Sequence, residues 1–294
     1  MSFILKKKLT FFDYLNYLIL TLISLMCILP LLYVISISFT DPKVHIPLQF
    51  QLFPKKFSIS AYRYILSTNS FLNAFRSTVI ITLGGTLCNL ICTFTYAYAL
   101  TKRELPFRKV LLGLIILYLI FSVGMIPNYL LIRGLGLINS YWALILGGLT
   151  NSWSLIVVRS FLDSLPKELE ESATIDGCNE LMSFLYVIIP LSLPSIAAFT
   201  LFFAVGHWNT YMSALLYLTD PKKWTLQILV KSLVIDQQGV AAAGATAAIS
   251  DDRVVPQETI RLASIVLSMA PILCVYPFLQ KYFVKGIMLG AIKG

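Results

Sequence analysis

Six long apolar stretches separated by polar intervals run along the chain: Tyr14–Phe39, Ser77–Leu100, Val110–Ile132, Tyr141–Val158, Leu191–Thr219 and Leu262–Gln280. About 20 apolar residues carry a helix across the hydrocarbon core, so each stretch predicts one transmembrane span. The fourth is the shortest. The fifth carries Pro194 and Gly206 and is expected to bend. Lys6, Lys7 and Lys8 precede the first stretch. That stretch is too long for the apolar core of a signal peptide, and no small-residue cleavage site follows it, so it reads as an uncleaved span. The pattern divides the chain into an N-terminal segment 1–13, a first span 14–39, a loop 40–76, a helical core 77–283 and a tail 284–294. Within the core it sets apart a polar interval at about 163–190 and a loop at about 220–258. The expected fold class is an all-α integral membrane protein with six transmembrane helices.

Composition sharpens this reading. Of 294 residues, 57% are hydrophobic and only 13% charged, with a mean hydropathy of +0.80. A soluble domain carries about twice that share of charge. A soluble enzyme, a disordered chain and a nucleic-acid binder are therefore excluded, and no nucleic-acid partner is expected. The net charge of +9 fits lysines and arginines at lipid headgroups. Six spans put both termini on one side. Twelve of the 23 Lys and Arg would fall on that side, which alone decides nothing. The short loop Thr101–Lys109 is more telling, because four of its nine residues are basic. Together with the triple lysine, it places both termini in the cytoplasm. The spacing of Cys27, Cys88, Cys92, Cys178 and Cys274 fits neither a zinc site nor a disulfide framework.

None of the six stretches contains Asp, Glu, Lys or Arg. A charge at mid-bilayer costs about 2.5–3.5 kcal/mol on insertion scales and is kept there for function. Proton- and ion-driven transporters keep such carboxylates, so a solute moved by this chain would draw its energy from elsewhere. The alternative of a secondary transporter or channel for a polar uncharged solute calls for an intramembrane charge and an inverted repeat; the sequence shows neither. His207 alone cannot form a metal site or a catalytic dyad. Aromatic and amide side chains are present instead: Trp142, Trp153 and Trp208, with Asn89, Asn151 and Asn209. They fit either a path for a polar uncharged solute or interhelical packing.

The interval Asp163–Glu180 carries the densest pattern. Pro166 suits a first helical turn, and Glu168, Glu170 and Glu171 complement a helix N-terminus. Asp176-Gly177 reads as a stop, with Gly177 expected to need a conformation that a side chain opposes. A second short helix is expected from about Asn179 to Ile189, ending before Pro190. On the first helix Leu169, Ser172, Ala173 and Asp176 share one face; an amphipathic linker on the membrane surface is the plainer alternative.

The spacing Glu171-Ser172-Ala173, three residues, Gly177, nine residues, Val187, one residue, Ile189-Pro190 resembles the EAA signature. That signature belongs to permease subunits of binding-protein-dependent ABC importers. Ser172, Val187 and Ile189 depart from it conservatively. Trp208-Asn209 resembles a pair found in carbohydrate-importing members. The C-terminal run from Tyr276 to Gly286, ending Gly290-Ala291-Ile292-Lys293-Gly294, looks like a branch linked to complex oligosaccharides and polysaccharides.

The resemblance implies a transport subunit rather than an enzyme, with no catalytic residue and no cofactor or metal of its own. It would pair with a second homologous permease subunit in the bilayer. Two copies of a cytoplasmic ABC ATPase would consume ATP and Mg, and an extracytoplasmic solute-binding protein would deliver a carbohydrate. A cytoplasmic coupling helix would lie between spans four and five, with Glu171, Ser172, Ala173, Asp176, Gly177 and Pro190 serving the ATPase contact. Trp208 and Asn209, and with them Tyr211, are expected near the solute path, while His207 is expected to pack. On one unbroken helix these residues fan too widely to face one pore, unless the helix breaks near Gly206 or the path widens outward. In related maltose importers a loop placed like 220–258 reaches into the binding protein. Here it contains the small-residue tract Gly239–Ala248. His45 and the loop around it match nothing in the resemblance.

Overall fold

A computed structural model of the chain describes residues 10–42, 44, 51–121, 123–235 and 257–291. Its elements are almost all helical: α1 Phe11–Ser38, α2 Ser60–Ser67, α3 Asn69–Thr101, α4 Arg108–Ile120, α5 Met125–Gly134, α6 Tyr141–Gly147 and α7 Ser152–Asp163. The series continues with α8 Lys167–Ile175, α9 Glu180–Ser183, a π-helical turn Phe184–Ile188, α10 Ile189–Leu191, α11 Leu193–Trp208, α12 Met212–Tyr217, α13 Leu226–Ile235 and α14 Gln257–Ala291. A short 3₁₀ turn covers Pro221–Lys223. His45 and the tract Gly239–Ala248 lie outside the described residues.

The chain forms two compact units. In the first, Asp13 caps the start of α1 by accepting from the Thr10 backbone N–H at 2.7 Å and its hydroxyl at 2.8 Å. The α1 helix buries only Ser36, Ile37 and Ser38 at its far end. There Phe39 stacks on Phe57 and Tyr62, and Ser38 meets the Tyr62 hydroxyl at 2.7 Å.

The second unit is organised around α3. Its outward residues Ile80, Leu83, Leu87 and Ile91 are exposed apolar side chains. Many of its inward residues are small or polar, among them Ser77, Thr78, Thr82, Gly85, Thr86, Asn89 and Thr93. Small inward residues let neighbouring helices approach closely. One end packs Phe94, Ala97, Leu100, Leu155, Val158, Phe199 and Phe203 together. The other packs Ile81, Ala143, Leu144, Ala214, Leu218 and Ile228. The C-terminus of α3 is closed by Arg108, whose Nε donates to the Leu100 carbonyl at 2.8 Å. One cation of the basic loop is thereby spent on capping.

The helices follow the predicted stretches, with three of the stretches interrupted. Among the described residues, three helices are singly long and apolar enough to cross a membrane: α1, α3 and the Glu258–Pro277 part of α14. Two bent pairs would bring the total to five. The fourth stretch is α6 and α7, bent by 52°. Asn151 caps α7 at this break by accepting from the N–H groups of Trp153 and Ser154. Asn89 on α3 donates to the Gly148 carbonyl at 2.9 Å. At the start of the fifth stretch the helical run Glu180–Leu191 meets α11 at an 80° bend, at Ser192 between Pro190 and Pro194. The stretch does not break at Gly206, because α11 runs on to Trp208. The third stretch divides into α4 and α5 around Phe121–Gly124. Pro127 lacks the N–H that would bond back to Val123, so the helix restarts at Met125.

Candidate functional site: the loop between α7 and α11

Helix α8 begins after Pro166, which is its cap rather than part of the first turn. It ends in a Schellman closure: Cys178 N–H bonds to Ala173 O at 2.9 Å and Gly177 N–H to Thr174 O at 3.1 Å. That closure requires a left-handed residue, and Gly177 has φ +88°. The sequence expectation for Gly177 is met. Asn179 then caps α9 by accepting from Met182 N–H at 2.8 Å. The second helix does not stop before Pro190. It widens into the π turn Phe184–Ile188 and continues to Leu191. Pro190 offers no N–H to the Tyr186 carbonyl, and the widened turn accommodates that loss.

The candidate coupling residues divide by exposure. Glu171, Ser172, Asp176, Gly177 and Pro190 are exposed, whereas Ala173 is buried. The four residues read as one face, Leu169, Ser172, Ala173 and Asp176, therefore do not share one environment. The inward line of α8 is Glu170 and Ala173. Its outward arc carries Glu171, Ser172, Asp176 and Ile175, the last 86% exposed.

Glu170 is what the sequence reading missed. Its carboxylate accepts from the Tyr98 hydroxyl at 2.5 Å and pairs with the Lys102 ammonium. Glu180 joins them, 2.9 Å from the Tyr98 hydroxyl and 2.5 Å from Lys102 Nζ. Lys102 also lies 4.7 Å from the Tyr98 ring centroid. Burial opposes the charge on Lys102, but the hydrogen bonds from its ammonium to Glu170 and Glu180 outweigh it and raise the pKa. The same bond from Lys102 lowers the pKa of Glu180. One cation thus ties α8 and α9 to the end of α3. A cavity of about 350 Å³ lies beside this junction, lined by Tyr98, Lys102, Arg103, Glu104, Glu170 and Glu171 among others. The signal was available in outline, because a four-cation loop and a four-glutamate interval invite pairing; the sequence does not say which members meet.

The candidate solute-path residues also separate. Trp208 is buried and lies edge-on to Phe75, with ring centroids 6.2 Å apart. His207 is buried against α3, with Nε2 3.3 Å from Asn89 Oδ1. Asn209 is exposed and Tyr211 half-buried, at the break between α11 and α12. Asn209 Nδ2 donates to the Val205 carbonyl at 3.0 Å and Thr210 Oγ1 to the Gly206 carbonyl at 3.1 Å. These bonds close α11 after Trp208, so the break falls beyond it. Trp208 packs toward Phe75 of α3, whereas Asn209 and Tyr211 meet α13. Two residues of α13 join them, Gln227 and Lys231.

The family described as binding-protein-dependent transport system inner membrane component matches residues 3–289. The chain belongs to this family. It is accordingly a multi-pass membrane protein and a transport component rather than an enzyme. It is 43% identical over 283 residues to the polygalacturonan/rhamnogalacturonan transport system permease protein YtcP of Bacillus subtilis (strain 168), covering 96% of this chain and 98% of the relative. Protein LplC of the same organism is 45% identical, over 96% of this chain and 95% of the relative. Among solved structures, a bacterial ABC transporter involved in the import of the acidic polysaccharide alginate matches with a TM-score of 0.84 and 32% identity, over 92% of this chain and 96% of that one.

Proposed function

We propose that this permease subunit forms, with a second homologous permease, the membrane path for an oligosaccharide or polysaccharide delivered by an extracytoplasmic solute-binding protein. Two copies of a cytoplasmic ABC ATPase supply the energy. The names of the relatives support the carbohydrate class. The absence of acidic or basic residues from the six apolar stretches supports an external energy source.

In this reading α1, α3, α4 with α5, α6 with α7, α11 with its flanking turns, and α14 make six crossings. Both termini and the loop 163–190 are cytoplasmic, and the loops 40–76 and 220–258 are external. The outward arc of α8 seats on the ATPase through Glu171, Ser172, Asp176 and Gly177. Ala173 lets α8 lie close to its own subunit, and Pro190 sets the turn that returns the chain to the bilayer. ATPase closure then pushes α8 as a rigid lever and switches the path between inward- and outward-facing states.

The observation that carries this reading is the two-sided character of α8. Its outer arc is exposed, while Glu170 on its inner line is tied through Lys102 to α3. A helix free on its inner side would yield when pushed, whereas one tied to a long core helix hands the displacement on. Glu171→Lys or Gly177→Asp should leave the subunit inserted at normal abundance and abolish uptake, with loss of ATPase association or of hydrolysis stimulated by loaded binding protein. Normal transport by both variants would remove α8 from the coupling role.

A further inference from the structure

The break between α11 and α12 meets one face of α13. Gln227 and Lys231 lie one helical turn apart there, so both project toward the same neighbour. Gln227 Nε2 donates to Asn209 Oδ1 at 3.3 Å. Lys231 Nζ lies 4.3 Å from the centroid of the Tyr211 ring. Below them Ile228, Leu229 and Val230 are buried, which fixes the orientation of α13. The Thr78 hydroxyl accepts the Leu226 N–H at 2.8 Å and holds the start of that helix against α3. Lys231 and Asn209 are exposed on the chain's own surface, with Tyr211 and Gln227 half-buried beside them.

The chemistry of this group is specific. An aromatic face takes the C–H side of a pyranose ring, and amides bond its hydroxyls. Both features suit any sugar. In the external segment of this reading a lysine carries no insertion cost, and set over an aromatic ring beside two amides it adds to the group the one feature that favours an anionic sugar over a neutral one. An aromatic ring holds an ammonium more weakly than a carboxylate does, so an arriving carboxylate takes the cation from the ring. A uronic acid presents both partners at once: a pyranose face for Tyr211 and a carboxylate for Lys231.

We propose that Asn209, Tyr211, Gln227 and Lys231 form a subsite for a uronic-acid residue of the transported saccharide, with Lys231 pairing its carboxylate. The inference rests on the carbohydrate-importer reading and narrows its substrate class to acidic saccharides.

The test uses the full complex of both permeases, the ATPase and the binding protein, reconstituted in lipid vesicles. The probes are a galacturonic-acid trisaccharide and its methyl ester, which keeps the rings and removes the charge. The readout is the ratio of acid to ester uptake in each variant divided by the same ratio in the parent. The binding protein is common to both, so its own preference cancels. Lys231→Gln should lower the ratio about tenfold, as expected for loss of one charge-assisted hydrogen bond at a partly solvated site. Lys231→Arg should keep it within about twofold of the parent. An unchanged ratio for Lys231→Gln overturns the subsite while leaving the importer reading intact. Loss of the second permease on co-purification of Lys231→Gln also overturns it, because the lysine would then serve an acidic partner across the subunit interface. Uptake of neither sugar by the parent overturns the subsite and the carbohydrate reading together.

Discussion

Removing Lys102 tests whether the junction beneath α8 bears force. The side chains of Lys102 and Glu170 are 28% and 26% exposed, so the pair lies between two regimes. Exposed ion pairs contribute about 0–1 kcal/mol, and breaking a fully buried one costs about 3–5 kcal/mol. For Lys102→Met we expect a loss of about 2 kcal/mol. The change leaves two carboxylates, Glu170 and Glu180, around one Tyr98 hydroxyl that can fully satisfy only one of them. Glu170→Gln in the same background should therefore recover part of the loss, with a Lys102–Glu170 coupling energy of about 1–2 kcal/mol. Glu180 is 74% exposed, and its coupling to Lys102 should stay below about 1 kcal/mol. Stability is read by denaturation of the purified complex, and function by ATP hydrolysis stimulated by loaded binding protein. The folded pKa of Lys102 is raised, so its contribution is complete below the ordinary value of 10.5 and fades only as pH rises beyond it. That of Glu180 is lowered, so its contribution is present above 4.5 and fades as pH falls below that. These two contributions should accordingly show no pH dependence between these limits. Coupling energies near zero, or equal for the two glutamates, would refute the arrangement.

Two further outcomes follow from the geometry. A Cβ at Gly85 would lie 2.5 Å from Cε1 and Nε2 of His207, a ring already held by Asn89; Gly85→Ala should cost about 1–3 kcal/mol by overpacking, with partial recovery in Gly85→Ala/His207→Ala, as measured by thermal aggregation of the solubilised protein. A tolerated Gly85→Ala would show that the two helices can part. For orientation, single cysteines at Ser70 and Ser164, in a background lacking the native five, should react with an impermeant thiol reagent from outside only at Ser70; external labelling at Ser164 would invert the topology.

The parts of the fold legible in the sequence were those written in long apolar runs and turn chemistry. The first, second and sixth stretches could each be read from length alone, and Gly177 followed from Asp-Gly after a polar helix. The breaks were harder, because a proline or glycine marks where a helix can fail and tertiary partners decide whether it does. Gly206 lies inside α11 because Asn209 and Thr210 close the helix after it, whereas Gly148–Asn151 opens where Asn89 and Asn151 take up the released peptide groups. Of the candidate site, the outer arc of α8 was visible as local pattern. Its inner tie was not, because Glu170 meets Tyr98 and Lys102 across 72 and 68 residues of chain. The surroundings of Asn209 and Tyr211 were hidden for the same reason: their neighbours Gln227 and Lys231 come from α13, a helix within a stretch that reads as loop in the sequence.

The kink in the fourth stretch has a bearing on bilayer thickness. In hydrocarbon an unsatisfied peptide group costs several kcal/mol, so most broken helices must recruit water or straighten. Here one asparagine side chain from α3 stands in for a missing amide donor, and another stands in for a missing carbonyl acceptor. At the 52° bend these two side chains take up three of the released peptide groups. A segment that carries substitutes for part of the lost bonds gains less by straightening when the surrounding lipid thickens. Mismatch must then be absorbed elsewhere, by tilt of uninterrupted helices such as α3 or by lipid deformation around them. The local angle between α6 and α7 is thereby held from two sides, and a change of membrane thickness should act first on the tilt of the uninterrupted helices.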